Sequence, residues 1–205
     1  RLGPEEQLRI WTAGCATGEE AYSLTICAVE AFEKLGRTPN VKVFATDVHH
    51  RSLELAGAGL YSADRFEEMS EARLLRFFSR EGESFRVSQE LRQMIVFAQH
   101  NLIKDAPFTR IHLATCRNLL IYLQPVVQRR VISHFHFGLI KGGILMLGSS
   151  EGPGTYRDDF EVKDERWKIY RKHRDARVMD IRLPIKDRAP ARVLREPRGG
   201  GLSQL

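Results

Sequence analysis

The sequence predicts an α/β fold: an open, mostly parallel sheet with helices on both faces and a small inserted β-subdomain. Three observations predict it. Short apolar runs alternate with segments of helical periodicity, the first run ends in a glycine-bounded turn, and the second ends on an acid. At 205 residues the chain is long enough to bury one sizeable core. It begins on Arg1, which reads as a piece of a longer protein.

Residues 8–13 (LRIWTA) form an apolar run entering the turn Gly14-Cys15-Ala16-Thr17-Gly18, and read as a buried strand. Residues 19–35 space Tyr22, Ile26, Val29, Ala31 and Phe32 at helical intervals, and Gly36 stops them. Residues 41–46 (VKVFAT) form the second strand, closing on Asp47, and a helix is expected over 51–58. The rhythm then breaks. A helix over 70–79 precedes segments 84–87 and 94–97, read as two strands around a polar turn. The inserted subdomain is accordingly placed at about 61–98. Alternation resumes with a strand at 110–115 and a helix at 124–137. Lys141-Gly142-Gly143 is read as a tight turn into a strand at 144–148, and 167–171 makes the last strand. The domain is expected to span 1–172. From His173 the apolar pattern fades into Pro184, Pro190, Pro197 and Gly199-Gly200-Gly201, read as a linker or disordered tail.

The formal charge is +6, with Lys and Arg crowded between Lys168 and Arg198. Such a run reads as a solvated segment, and composition alone does not choose among acidic partners. No apolar run approaches the roughly 20 residues that cross a bilayer, so the cytoplasm is the expected compartment. Cys15, Cys27 and Cys116 form no Cys-x-x-Cys pair. His134 and His136 stand two apart in a predicted helix, where their rings point to different faces, so no metal is expected.

Ligands of open α/β sheets sit beyond the carboxyl ends of the strands, where strand order reverses. There Gly14 and Gly18 let backbone approach a ligand, and Asp47 is placed to accept hydrogen bonds from both hydroxyls of a ribose. A turn glycine and a helix-capping acid are the plainer reading of the same residues. The turn is neither Gly-x-Gly-x-x-Gly nor Gly-x-x-x-x-Gly-Lys-Ser/Thr, which disfavours a pyrophosphate. Glu19 and Glu20 would repel phosphates at the helix start but suit a cation such as the sulfonium and ammonium of S-adenosylmethionine. One of the pair is expected only to stabilise the helix N-terminus.

The segment Ala13-Gly14-Cys15-Ala16-Thr17-Gly18-Glu19-Glu20-Ala21-Tyr22-Ser23 resembles the signature of the CheR family of chemotaxis receptor methyltransferases. Four further segments resemble that family in the same order. They are Ala45-Thr46-Asp47-Val48, His100-Asn101-Leu102, Cys116-Arg117-Asn118-Leu119-Leu120-Ile121-Tyr122-Leu123, and Gly142-Gly143 through Gly148-Ser149-Ser150-Glu151. Pro107-Phe108-Thr109-Arg110 and Gln128-Arg129-Arg130 look like the CheR portion of CheB/CheR fusion proteins. The resemblance covers residues 8–172.

It implies a class I methyltransferase fold, with seven strands and the last antiparallel. It also implies S-adenosylmethionine as cofactor, S-adenosylhomocysteine as product, and glutamate side chains of chemoreceptor cytoplasmic domains as methyl acceptors. Glu20 resembles the acid near the methionine end, Asp47 the acid on the ribose, and Asn101-Leu102 the pair flanking the adenine. Cys116-Arg117 resembles the backbone beneath the methionine moiety, and Tyr122 a tyrosine near the transferring methyl. Other domains of a fusion polypeptide are further expected partners; nucleic acid and membrane insertion are not expected.

Three departures accompany the resemblance. The family's N-terminal domain and its linker with Thr, Phe-Phe and Arg fall before the point where this sequence begins. His112 stands where the family has Asp, a change that either loosens the cofactor site or alters core hydrogen bonding. The turn between Phe78 and Val87 is short for gripping a receptor peptide. The alternative to an active enzyme is a cofactor-binding or scaffolding module on the same fold.

Overall fold

The computed structural model describes residues 2, 3 and 5–175. Most of the expected tail, 176–205, lies outside the described residues. In chain order the elements begin β1 (Leu8–Ala13), α1 (Glu19–Lys34), β2 (Val41–Asp47), α2 (His50–Ala58), β3 (Leu60–Ser62) and α3 (Glu71–Phe77). Next come β4 (Phe78–Glu81), β5 (Ser84–Val87), α4 (Gln89–Met94), β6 (Ile95–Gln99) and β7 (Ile111–Cys116). The chain closes with α5 (Pro125–Gly138), β8 (Leu139–Leu147), β9 (Phe160–Asp164) and β10 (Ile169–Lys172).

Seven strands make the main sheet in the order β6-β2-β1-β7-β8-β10-β9. The pairs from β6 to β8 are parallel, whereas β10 is antiparallel to both β8 and β9. One strand, β10, therefore runs against the rest. Strand alternation explains why both faces are apolar. Ile10, Val43 and Ala45 join Ile26, Val29 and Phe32 of α1, Leu53 of α2 and Leu91 of α4. Trp11, Ala13 and Phe44, at the opposite parity on the same strands, pack instead with Val131, Ile132 and Phe135 of α5. Trp11 is wholly buried, and its indole N–H donates to the Thr46 hydroxyl at 3.0 Å, so its one polar atom is satisfied.

Several expectations need correction. Segments 84–87 and 94–97 are strands but do not face each other. β5 pairs with β3 and β4 in a separate three-stranded sheet, while β6 is the edge of the main sheet beside β2. The ribbon is β4–β5, closed at Gly82 with φ 62°, and α4 leads the chain back to the main sheet. The expected turn at Lys141-Gly142-Gly143 is a bulge within β8. Its pairing with β7 jumps from Ile111↔Leu139 to Leu113↔Ile144, and Gly142 takes φ 84°. One residue of the basic run is also part of the core. Lys172 is 3% exposed, and its ammonium donates to the His136 and Leu139 carbonyls at 2.7 Å and pairs with Asp175 at 2.8 Å.

His112 lies at the start of β7, at the end of the sheet remote from the glycine turn. Its Nδ1 accepts the Arg9 N–H at 3.1 Å, which leaves Nε2 to donate to Glu6 at 3.2 Å. Both ring nitrogens of His112 are thus engaged at the amino end of β7. Among the described residues, no helix is long and apolar enough to cross a membrane.

Candidate functional site

The carboxyl ends of β1, β2, β6, β7 and β8 converge on one edge of the sheet, because five parallel strands necessarily end on the same side. The turn after β1 is held against β2 by the N–H groups of Gly14 and Cys15, which donate to the Thr46 carbonyl at 2.8 and 3.0 Å. Gly14 has φ 69° and Gly18 φ 93°, conformations that side chains resist. A Cβ on Gly18 would also lie 2.8 Å from that of Ala56. These are glycine positions by geometry.

Asp47 organises this turn. Its Oδ2 accepts the Ala16 N–H and its Oδ1 the His49 N–H, both at 2.9 Å. Each oxygen keeps lone-pair capacity beyond these bonds. The two helix-start acids divide. Glu19 accepts from the Thr17 hydroxyl and pairs with Arg65 at 2.9 Å, outside the cleft. Glu20 reaches across to β7, accepting the Thr115 hydroxyl at 2.6 Å and the Arg117 guanidinium at 3.1 Å. Glu20, Asp47, Arg117 and the glycine turn are thus brought together.

The other expected residues are placed more variously. The Asn101 side chain caps its own turn, accepting the Ile103 and Lys104 N–H groups at 2.9 and 3.3 Å. Leu102 is buried in the α5 core, and its carbonyl accepts from His134 Nδ1 at 3.0 Å. Cys116 is wholly buried, so its thiol offers nothing to a ligand. Burial first, then the charges of Glu151 and Glu20, pushes its thiol pKa up; burial and then Asp47 raise that of Cys15 to about 12. Neither is a thiolate at neutral pH. Tyr122 stands 79% exposed on the short 3-10 turn Leu120–Tyr122, and its hydroxyl has no partner among the described residues.

Glu151 went unassigned from sequence and is central to the structure. It is 8% exposed, yet it accepts four backbone N–H groups. Oε2 takes Gly148 at 2.6 Å and Asn118 at 3.2 Å; Oε1 takes Leu120 at 2.7 Å and Ile121 at 3.3 Å. One carboxylate thereby joins the end of β8 to the loop that carries Tyr122. The available signal was that no Asp or Glu occurs between Asp105 and Glu151. His134 and His136 face different neighbours, Leu102 and the Tyr156 ring. Burial first and the Lys172 charge second lower the His136 pKa. Among the described residues, no group of three or more His, Cys, Asp or Glu could hold a metal ion.

Strand order, the lone antiparallel β10 and the acid-lined strand ends define a class I S-adenosylmethionine-dependent methyltransferase fold. The family model described as CheR methyltransferase, SAM binding domain, matches residues 1–169, and the chain belongs to that family. It is 47% identical over 163 residues to the "Uncharacterized 104.1 kDa protein in hypE 3'region" of Rhodobacter capsulatus, covering 80% of this chain and 17% of that protein. It is 32% identical over 167 residues to "Chemotaxis protein methyltransferase 2" of Vibrio cholerae, covering 80% of this chain and 58% of that one. With "Chemotaxis protein methyltransferase 1" of Pseudomonas aeruginosa the identity is 34% over 163 residues, covering 77% and 59%. The chain therefore spans less than two thirds of each of these relatives.

Proposed function

We propose that this domain transfers a methyl group from S-adenosylmethionine to glutamate side chains of chemoreceptor cytoplasmic domains. The observation that carries the reading is the acidic wall formed by Asp47 and Glu20 beside a glycine turn, in a chain of this family. The residues fit the group. Two carboxylates suit a ribose and a cationic tail, and the turn offers no pyrophosphate cradle. When bound, S-adenosylmethionine supplies a methyl on sulfur to a carboxylate oxygen, leaving S-adenosylhomocysteine and a methyl ester.

The chain's part is binding and alignment. Asp47, oriented by Ala16 and His49, would accept from the ribose hydroxyls, Glu20, held by Thr115, would offset the cationic methionine end, and the Cys116-Arg117 backbone would support that end. Asn101 and Leu102 would act through their turn, which would flank the adenine. A glutamate is already ionised at neutral pH, so no general base is needed and holding the reactants in line supplies the acceleration. Tyr122, on the turn anchored by Glu151, positions the incoming carboxylate or the methyl. The domain works in the cytoplasm, with other domains of a fusion polypeptide as further partners.

Labelled methyl transfer from S-adenosylmethionine to membranes containing receptors tests the reaction. Label released by base as methanol supports a glutamyl ester; base-stable label, or none with the full-length protein, overturns it. That turnover also separates the enzyme from a scaffolding module.

Two substitutions test the assignments. Asp47→Ala should weaken S-adenosylmethionine binding by about 1.5–3 kcal/mol, the scale of hydrogen bonds to charged groups. Calorimetry on a folded variant with unchanged affinity removes Asp47 from the ribose site. Tyr122→Phe keeps the ring and removes the hydroxyl. Turnover should fall roughly ten- to a hundredfold while cofactor affinity barely moves. Equal turnover leaves Tyr122 without a positioning role.

A further inference from the structure

Apart from the cleft of Asp47 and Glu20, the loops after β8 and β9 enclose a cavity of about 280 Å³ against the start of β10. None of Gly14, Glu20, Asp47, Asn101, Arg117 or Tyr122 lines it. Tyr170 does. It is 4% exposed, and its hydroxyl has no hydrogen-bond partner among the described residues. That hydroxyl lies 3.9 Å from the Cβ position of Gly152, another residue of the wall. A buried phenol with no partner in the chain is a donor left for a ligand or solvent. Burial first raises its pKa, so it stays a donor at neutral pH; the charges of Lys168, Glu165 and Arg157 act on it in turn, which puts all three groups near it. Arg157, exposed on the 3-10 turn Gly154–Asp159, forms no ion pair among the described residues. Lys168 spends one donor on Glu165 at 2.9 Å, and the Glu165 side chain is 68% exposed against 21% for Lys168, so the acid lies to the solvent side. Glu151, also in the wall, has its oxygens engaged by four backbone N–H groups. The wall thus holds two cations and a free phenol, while both of its acids are committed.

We infer that this cavity binds a small phosphate monoester through Arg157, Lys168 and Tyr170, as a second ligand site separate from that of the methyl donor. The number of donors decides the class. An arginine offers a fork of N–H groups, a lysine keeps two donors beyond one ion pair, and a tyrosine adds its O–H. A carboxylate turns two oxygens to a single Arg fork, whereas a phosphate presents three oxygens in three directions, one for each of these groups. Pro153 and Val162 give the carbon part of the ligand an apolar wall. The size keeps that part to a few carbons, because drug-sized ligands occupy roughly 300–1,000 Å³.

The test titrates the full-length protein by calorimetry, at constant ionic strength, with glycerol 3-phosphate and with glycerate as its carboxylate counterpart. Glycerol 3-phosphate should bind saturably, one per chain, and glycerate at least tenfold more weakly. R157A, at an exposed position, should raise the glycerol 3-phosphate Kd at least tenfold. Y170F keeps the buried ring, removes the donor and should raise Kd several-fold. K168N removes a charge while suiting the left-handed backbone at φ 51°, and should weaken binding likewise. E165Q frees Lys168 and should lower Kd several-fold. K163A, on β9 outside the cavity, should alter it less than twofold. Thermal midpoints confirm that each variant is folded, and saturating glycerol 3-phosphate should leave S-adenosylmethionine affinity within twofold. The site is overturned if wild type shows no saturable binding, if binding survives both R157A and K168N, or if S-adenosylmethionine displaces the phosphate. Glycerate binding as tightly as glycerol 3-phosphate overturns the assignment to phosphate. None of these readouts depends on methyl transfer.

Discussion

Glu151→Ala is expected to lower stability by about 3–5 kcal/mol, because it orphans buried donors rather than removing a surface charge. Four N–H groups converge on this carboxylate, from Gly148, Asn118, Leu120 and Ile121. Water replaces only part of what is lost, since the group is 8% exposed. For a domain of this size the thermal midpoint should drop on the order of 10 °C. Glu151→Gln separates shape from charge. Its amide keeps one acceptor oxygen but turns an NH2 toward two N–H donors, so it should recover less than half of the loss. Methyl transfer should fall in both variants, because the loop bearing Tyr122 loses its anchor. A Gln variant with wild-type midpoint and turnover would show that the carboxylate is not holding the two loops together.

Gly138→Ala should be comparably damaging for a steric reason. Gly138 closes α5, and a Cβ there would lie 2.3 Å from the Phe108 carbonyl oxygen, far inside contact distance. The backbone at Phe108 has little room to retreat. Its ring packs on Trp11, Phe44 and His100 at centroid distances of 5.2, 4.9 and 5.3 Å. A cost of about 3 kcal/mol follows, the upper range for overpacking. Gly57→Ala is the internal comparison: its Cβ would meet nothing within 4 Å, in α2, so helix propensity alone should add about 0.5–1 kcal/mol of stability. Denaturant titration of both variants gives the contrast. Equal midpoints would mean that α5 and Phe108 do not approach as described.

Strands buried on both faces were legible as continuous apolar runs, and so β1, β2 and β7 fall within a residue of their expected spans. β9 escaped because it lies at the sheet edge with Glu161, Val162 and Lys163 exposed, which gives no apolar run. β4 was absorbed into the preceding helical pattern, since Phe77 and Phe78 continue its apolar spacing. β6 was recognised as a strand but given the wrong neighbour, because pairing depends on residues half a domain away. At the cleft, Asp47 and Glu20 stood out beside their glycines. Glu151 and Thr115 did not, because their partners meet only after the loops of three strands come together.

The junction between β1 and β7 divides the sheet into two stretches of chain, and the apolar cluster under α5 crosses it through Trp11 and Ala13. Residues 8–99 supply β6-β2-β1, and residues 111–172 supply β7-β8-β10-β9. Asp47 and the glycine turn belong to the first stretch, Thr115 and Arg117 to the second, and Glu20 is bonded across the junction. If the proposed site holds, a cofactor bound by Asp47, Glu20 and Arg117 would touch both stretches and oppose any partial unfolding that parts them. Amides of β1 and β7 exchange hydrogen only when such an opening occurs, if it is the easiest route to solvent. Their protection then grows with free ligand as RT ln(1 + [L]/Kd), while amides in β9 at the far edge keep the exchange rate of local fraying.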